Sequence, residues 1–372
     1  MSNKRVFLDN ASTTPIAPEI IDMMSEMMKS HFANPSSVHS YGRESKIVVE
    51  GARKKIAELL NTSPGSIFFT SGGTEADNMA IKCAIHDHKI THAITSRLSH
   101  HAVLFPLEDL EKEGLIKLSY VDIDKNGVIS MSHLKELLSS NPRTFVSIMH
   151  ANNEIGTIQD IKVIGDICKE HNAIFHSDTV QTMAHFPFDM QKLNVDFMAA
   201  SAHKFHGPKG VGFVYISENI RIKPLLRGGG QERNMRAGTE NIYGIAALAM
   251  AMEMAYENLE EETDYIKGLK IYMMEKLQTE LEDVQFYGKC TDMDNSLYTV
   301  LSCHFPETDI AEMLLFNLDI LGVACSGGSA CASGSSKGSH VLTEIVPESN
   351  RPGIRFSFSK YNTKEDIDFT ID

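Results

Sequence analysis

Paired cysteines are missing from this sequence. Its six cysteines, at 83, 168, 290, 303, 325 and 331, form no C-x-x-C pair and no compact framework. That spacing argues against a disulfide scaffold and a structural zinc site. His203 and His206 have no third ligand at suitable spacing, so no metal site is expected. No apolar run reaches membrane-spanning length, and the opening Met-Ser-Asn-Lys-Arg-Val-Phe has none of the features of a signal peptide. A cytoplasmic protein with no membrane association is the expectation. Positive charge is also scarce. The net charge of −14 works against nonspecific binding to nucleic acid or anionic membranes, while leaving room for a local basic patch. Apart from a Gly/Ser-rich stretch around Cys331, no low-complexity segment or internal repeat is visible.

What is present suits a folded α/β protein. A chain of 372 residues, 42% hydrophobic and 23% charged, is long enough for a full core and two domains. Strand-like runs at Ile67–Thr70, His92–Thr95, Lys117–Val121, Thr144–Met149, Ala173–Ser177, Phe197–Ala200 and Val211–Ile216 are interleaved with helix-like runs. Helices are expected from Pro18, up to Leu60, from the glycines at 72–73 through Ile85, and around 101–112, 131–139 and 160–171. This alternation predicts a mostly parallel sheet of seven strands covered on both faces, with ligands beyond the carboxyl ends of the strands. Beyond the acidic stretch Glu257–Asp264 the pattern turns α+β: helix 265–280, strand 297–303, helix 308–317, strand 354–358, and a last helix from Thr363. The expected division is a large domain over 16–256 and a smaller one made of 1–15 and 257–372. The chain stops at Asp372, one or two turns into that last helix, as a shortened chain would.

Polar residues cluster where those strands end. Ser71-Gly72-Gly73-Thr74 joins a strand to a helix. This is how α/β folds seat a phosphate on backbone N–H groups and a helix N-terminus, and equally how they build an ordinary N-cap at Ser71 or Thr74. His100 follows the next strand, Asn153 another, Asp178 and Gln181 the next, and Ser201, His203 and Lys204 the fifth. A random lysine in a hairpin is a surface residue. Lys204, flanked by hydrogen-bonding groups at the lip of a buried strand, stands where desolvation favours the neutral amine that forms Schiff bases. Gly228-Gly229-Gly230 and Arg236–Asn241 form a glycine-rich loop ahead of a helix starting near Asn241. Of residues 326–339, ten are Gly or Ser, so composition predicts a flexible loop around Cys331.

Several motifs resemble the cysteine desulfurases of the NifS-like branch of the class V aminotransferase family. They are Leu-Asp-Asn-Ala-Ser-Thr-Thr-Pro (8–15), Asn-Pro-Ser-Ser-Val-His (34–39), Thr-Ser-Gly-Gly-Thr-Glu-Ala-Asp-Asn (70–78), Asn-Asn-Glu-Ile-Gly (152–156), His-Ser-Asp-Thr-Val-Gln (176–181), Ser-Ala-His-Lys (201–204), the Gly-Gly-Gly-Gln-Glu-Arg and Arg-Ala-Gly-Thr-Glu-Asn segments of 228–241, Gly-Ser-Ala-Cys (328–331) and Ile-Arg-Phe-Ser (354–357). The resemblance implies a fold-type I pyridoxal-phosphate (PLP) enzyme, with residue roles to match. Lys204 holds the cofactor and moves the substrate's α proton. Asp178 keeps the pyridine nitrogen protonated; otherwise it is a capping carboxylate after its strand. Gln181 and Asn153 bond the ring-hydroxyl side, Asn153 also touching the substrate carboxylate. His100 stacks on the ring, with His101 a bystander. Gly73, Thr74, Ser201 and His203 hold the phosphate, and Thr239 reaches the phosphate of a neighbouring subunit, which implies a homodimer. Arg355 clamps the substrate carboxylate, and the Cys331 thiolate takes sulfur from L-cysteine, leaving alanine.

The sulfur is implied to pass to an acceptor protein such as an iron–sulfur scaffold, or toward tRNA or cofactor thiolation, without direct nucleic-acid binding. Two features depart from the family pattern. The loop reads Ser-Gly-Gly-Ser-Ala-Cys where Ser-Ser-Gly-Ser-Ala-Cys is frequent, and a C-terminal extension used by some members for scaffold docking is short or absent. Selenocysteine lyase shares the fold and cofactor and is one alternative; a non-catalytic sulfur-transfer binding partner is another. Transamination fits poorly with Cys331. Cys325 is read as a buried bystander in preference to a sulfur acceptor.

Overall fold

A computed structural model describes residues 4–141, 143–308, 311–327, 339–347 and 351–372. In chain order its strands are β1 (Val6–Phe7), β2 (Ile67–Thr70), β3 (His92–Thr95), β4 (Lys117–Tyr120), β5 (Thr144–Ser147), β6 (Ile174–Asp178), β7 (Phe197–Ser201), β8 (Gly212–Ile216), β9 (Gln285–Phe286), β10 (Val300–His304), β11 (Val323–Ala324) and β12 (Gly353–Ser357). Seven of them form the central sheet in the order β2-β8-β7-β6-β5-β3-β4. Six of the seven run parallel; β8 alone is antiparallel to both of its neighbours.

The alternation of side chains along each strand explains the two-faced core. On one face Ile67, Phe69, Val146, Phe175, Met198, Ala200, Phe213 and Tyr215 pack with residues of helices Pro18–Ser30, Ser40–Leu59, Ile161–Glu170 and Ile242–Glu257. On the other, Phe68, Phe145, Ile174, Phe197, Ala199 and Val214 pack under helices Gly73–Asp87 and His101–Lys112. A further core joins Val6 and Leu8 to Ile266, Leu269, Met273, Leu301, Cys303, Phe356 and Ile367, around the antiparallel sheet β12-β10-β9 and the parallel pair β1-β11.

Helix starts follow local chemistry. Pro18 fits the first turn, where its missing N–H costs nothing. The side chains of His39, Ser130, Asp160 and Asn241 accept first-turn N–H groups, and Thr363 with Asp366 completes a capping box. Two boundaries differ from expectation. The acidic run at 257–264 is mostly the opening of helix Leu259–Glu280, with Glu260, Glu261 and Glu262 in its first turn, where the positive end of the helix dipole favours them. The helix expected over 308–317 is Leu314–Ile320, preceded by a short turn at Ala311–Met313. Among the described residues, no helix is long and apolar enough to cross a membrane.

Candidate active site

At the carboxyl ends of the parallel strands lies a cavity of about 230 Å³. Gly73, Thr74, His100, Asn153, Asp178, Gln181, Ser201, His203, Lys204 and Arg355 all line it. Ten of the twelve residues singled out in the sequence thus meet in one place. Thr239 does not: it is exposed, in the loop that precedes helix Ile242–Glu257. Cys331 lies outside the described residues.

Each wall of the cavity follows from its strand. After β2, Gly72 adopts φ +153°, and Gly73 opens the next helix. A Cβ on Gly73 would stand 2.5 Å from Val180 Cγ2, so this close approach requires glycine. The turn presents the N-terminus of a fifteen-residue helix beside Ser201 and His203, a donor set suited to a phosphate. After β3, His100 caps helix His101–Lys112. Its Nδ1 accepts the Ala102 N–H at 3.1 Å, which puts its ring proton on Nε2. Burial pushes its pKa down; Asp178 opposes this, while Lys204, His101 and His340 reinforce it. The ring is therefore neutral at physiological pH. His203, with Nδ1 3.1 Å from Thr13 Oγ1, is pushed down to about 4 by burial and by Lys204 and Lys209.

Asp178 ends β6, buried, with Oδ1 accepting the Val180 N–H at 3.0 Å. Lys204 ends the short turn after β7, where Nζ donates to the carbonyls of Ala11 at 2.6 Å and Ser12 at 2.9 Å. Gln181 Nε2 donates to the same Ala11 carbonyl at 2.9 Å. The segment 8–15, distant in sequence, thus fixes both side chains. Arg355 arrives from β12 of the smaller sheet. One of its amino groups donates to the Asn153 carbonyl at 2.9 Å, the other to Asp9 Oδ1 at 2.7 Å, and the guanidinium is 1% exposed. Among the described residues its buried Nε has no hydrogen-bond partner. An orphaned donor on a buried guanidinium fits a small carboxylate ligand.

Sequence reasoning missed several residues here. Asp77, His101, Glu154 and His340 also line the cavity. His101, expected to be a bystander, stacks on Phe105 with centroids 4.5 Å apart and lies 4.6 Å from the His340 ring. Glu154 is buried and hydrogen-bonded by the Ser339 hydroxyl. Burial pushes its pKa up, opposed by Ser339, Arg355 and His101. The available signal was polarity on a buried face: Asp77 shares its side of the helix with Gly73, Ala76, Ala80 and Ala84, all buried. Cys325, expected to be a buried bystander, is partly buried, and burial with Asp9 pushes its thiol up to about 12 against the pull of Arg355.

The cavity suits PLP on these observations. It has a glycine-backed helix N-terminus for a phosphate, a buried carboxylate that can face a ring nitrogen, a neutral imidazole, and a lysine within the same walls. Among the described residues, no cluster of three or more His, Cys, Asp or Glu side chains could hold a metal ion.

Residues 6–369 match the family described as Aminotransferase class-V. The chain is 42% identical over 373 residues to the cysteine desulfurase IscS of Dictyoglomus turgidum, covering 99% of this chain and 93% of that protein. Its fold is similar to that of a solved NifS-like protein, with TM-score 0.90 and 36% identity over 99% of this chain and 97% of the other. It also resembles a structure described as SspA in complex with cysteine, with TM-score 0.82 and 31% identity over 96% of this chain and 100% of the other.

Proposed function

The chain belongs to the aminotransferase class-V family and is a PLP-dependent cysteine desulfurase; from that premise we propose how its residues divide the work. The observation that carries the assignment of roles is the convergence of Lys204, Asp178, His100, Asn153, Gln181 and Arg355 on one cavity. Gly73, Thr74, Ser201 and His203 would hold the phosphate, and Lys204 would hold the cofactor covalently. When bound, the cofactor supplies an electron sink that makes the Cβ–Sγ bond of the substrate labile.

The chain's own groups do the rest. Asp178 pairs with the ring nitrogen and keeps it protonated, a charge-assisted contact of about 1.5–3 kcal/mol. His100, neutral and with its proton on Nε2, covers the ring and is placed to pass a proton. The Arg355 guanidinium binds the α-carboxylate of L-cysteine, using the donor that the protein leaves unmatched, with Asn153 beside it. The Lys204 amine takes the α proton and returns one. The Cys331 thiolate then attacks the substrate sulfur, forming a persulfide as the Cβ–Sγ bond breaks, and the carbon skeleton leaves as alanine. L-cysteine as substrate is supported by the structural relative solved with that ligand.

The partner assignments go further. We assign the chain to the cytoplasm, as a homodimer in which Thr239 reaches the phosphate of the neighbouring subunit, and we assign the sulfur to an acceptor protein such as an iron–sulfur scaffold. Exposed Thr239 and the exposed apolar residues Phe32, Val38, Tyr41 and Ile47 support the dimer. The two-domain division over 16–256 and 1–15 with 257–372 accounts for the separate core around Leu8, Leu269 and Phe356.

The deciding experiment measures alanine and protein persulfide from L-cysteine, for the protein and for Cys331→Ser. Alanine with a persulfide that disappears in the variant is the expected result. Sulfur transfer retained in Cys331→Ser would overturn the assignment of the nucleophile. A yellow protein that yields neither product would point to selenocysteine as the substrate.

A further inference from the structure

Asp77 is the fifth residue of helix Gly73–Asp87, and its side chain lines the cavity beside Asp178 while remaining 1% exposed. A carboxyl group so placed should be paired or carry its proton. Glu75, two residues earlier, is paired. It receives two hydrogen bonds from Arg236, at 2.8 and 3.0 Å, and one from the Ser71 N–H at 2.8 Å. These outweigh burial and hold its pKa down.

Asp77 faces different neighbours. One is Asp178, a second carboxyl. The other is His176, whose Nε2 lies 3.3 Å from Asp77 Oδ1. Among the described residues neither of these two atoms has any other polar partner, and with His176 taken as donor the pair itself makes no hydrogen bond. His176 is fully buried, and burial pushes its imidazole down to about 3, so it supplies no positive charge at neutral pH. Other charged groups of the cavity have partners of their own. The Lys204 amine donates to the carbonyls of Ala11 and Ser12, Arg355 to Asp9 and Asn153, and His100 is neutral.

The hydrogen-bond inventory then leaves two arrangements of the protons. A neutral imidazole has one donor and one acceptor. His176 Nδ1 lies 2.9 Å from Ser147 Oγ. If Nδ1 carries the proton and donates to Ser147, Nε2 must accept, and the Asp77 carboxyl 3.3 Å away can donate to it. The opposite tautomer makes Asp77 the acceptor from Nε2–H: an ionised Asp77 would then sit buried beside a second carboxyl with only a neutral N–H to offset its charge, and a protonated one would need another acceptor for its O–H.

We propose that Asp77 is kept as a neutral carboxylic acid that donates to His176 Nε2, and that this uncharged Asp77–His176–Ser147 chain is a positioning device that leaves Asp178 the sole anion for the cofactor's ring nitrogen. The carboxyl's direction of shift agrees: burial raises it well above the ordinary range, and Asp178 raises it further. The consequence for the ring nitrogen rests on the PLP reading above; the protonation of Asp77 does not.

Asp77→Asn tests it, because the amide keeps the shape and a donor but has no proton to lose. A carboxyl whose folded-state pKa is raised makes the wild type less stable as pH climbs from the unfolded value of about 4 toward the folded one. In urea unfolding of the cofactor-free protein, the folding constant of Asp77→Asn relative to wild type should grow as pH rises above about 4, by up to about tenfold per pH unit. A ratio that is flat or falls with pH overturns the proposal.

In the cofactor-loaded proteins, the pH midpoint of the bound chromophore's absorbance should be the same for wild type and Asp77→Asn. A midpoint displaced by about one unit or more would mean that a charge had been removed, and would also overturn it. Should the variant fail to fold, imidazole NMR of the wild type decides: protonated Nδ1 and bare Nε2 on His176 are expected, and the reverse tautomer defeats the idea. A protein that takes up no PLP would sink the cofactor reading while leaving the unfolding test of Asp77 intact.

Discussion

Arg355 reaches the cavity already engaged, with Asp9 and the Asn153 carbonyl on its two amino groups and Nε unmatched. A guanidinium fork held from behind in this way can meet a carboxylate along its free edge; an ammonium cannot reproduce that geometry. Arg355→Lys should therefore raise KM for L-cysteine and lower kcat/KM by about 10- to 100-fold, the loss of a charged hydrogen bond, while PLP uptake stays the same. Steady-state kinetics alongside cofactor absorbance checks this. Cys325 offers the opposite case. With its thiol at about 12 it carries almost no thiolate at neutral pH, so Cys325→Ser should keep persulfide formation within about twofold of wild type. A large loss in that variant would place Cys325 on the route of the sulfur.

Among the elements, the loop over 228–241 is the most constrained. Glu232, Arg233 and Asn234 have φ of 45°, 57° and 67°, three successive non-glycine residues in the left-handed region, each strained by about 1–3 kcal/mol. Their surroundings hold them there. Glu232 receives Arg53 through both oxygens, at 2.7 and 2.8 Å, and the Phe69 N–H at 2.8 Å, all buried. Arg233 donates to the carbonyls of Pro64 and Ile67, and Arg236 to Glu75. The loop is thereby tied to the strand and turn proposed to seat the phosphate. Glu232→Gln leaves Arg53 with only the half-exposed Glu50 as counter-ion, which should cost up to about 3–5 kcal/mol in denaturant unfolding and weaken PLP retention. A cost below about 1 kcal/mol would show that the pair does not hold the turn. From sequence this loop read as glycine-rich connection, because a buried Arg53–Glu232 pair, 179 residues apart, leaves no local pattern.

For the whole molecule, pH acts through buried imidazoles. His92, His206 and His304 are pushed down to about 4, and His176 to about 3, in each case first by burial. Each is neutral when folded and takes up a proton near pH 6.5 when unfolded, so the unfolded state binds more protons below that value. Stability should hold above about pH 6.5 and fall as pH drops toward 4, by up to about 1.4 kcal/mol per pH unit for each group, with no matching loss between about pH 7 and 8 from these residues. Urea midpoints across pH 4 to 8 measure it. Assembly is the second property at this scale. Val38 and Ile47 are 89% and 70% exposed in the single chain, beside exposed Phe32 and Tyr41. Ile47→Glu should convert the proposed dimer to a monomer in sedimentation, and an unchanged mass would move the proposed interface elsewhere.

The sequence by itself determined the strand–helix alternation, the seven strands of the sheet and the residues at their carboxyl ends, because side-chain periodicity and glycine turns are local properties of the chain. It also exposed Lys204, Asp178 and the glycine turn, whose chemistry is written in adjacent residues. Boundaries at 259 and 314 escaped it, since charge in the first turn of a helix looks the same as charge in a loop. Only the tertiary structure decided that Ala11 and Ser12 hold the Lys204 amine, that Arg355 crosses from the smaller sheet to lie against Asn153, and that His340 joins His101. These contacts link segments up to about 240 residues apart and arise from packing of the two sheets, which no local pattern encodes. The same holds for Asp77: its type was visible in the sequence, but its proton depends on burial beside Asp178 and His176, which exists only once the helix is laid on the sheet.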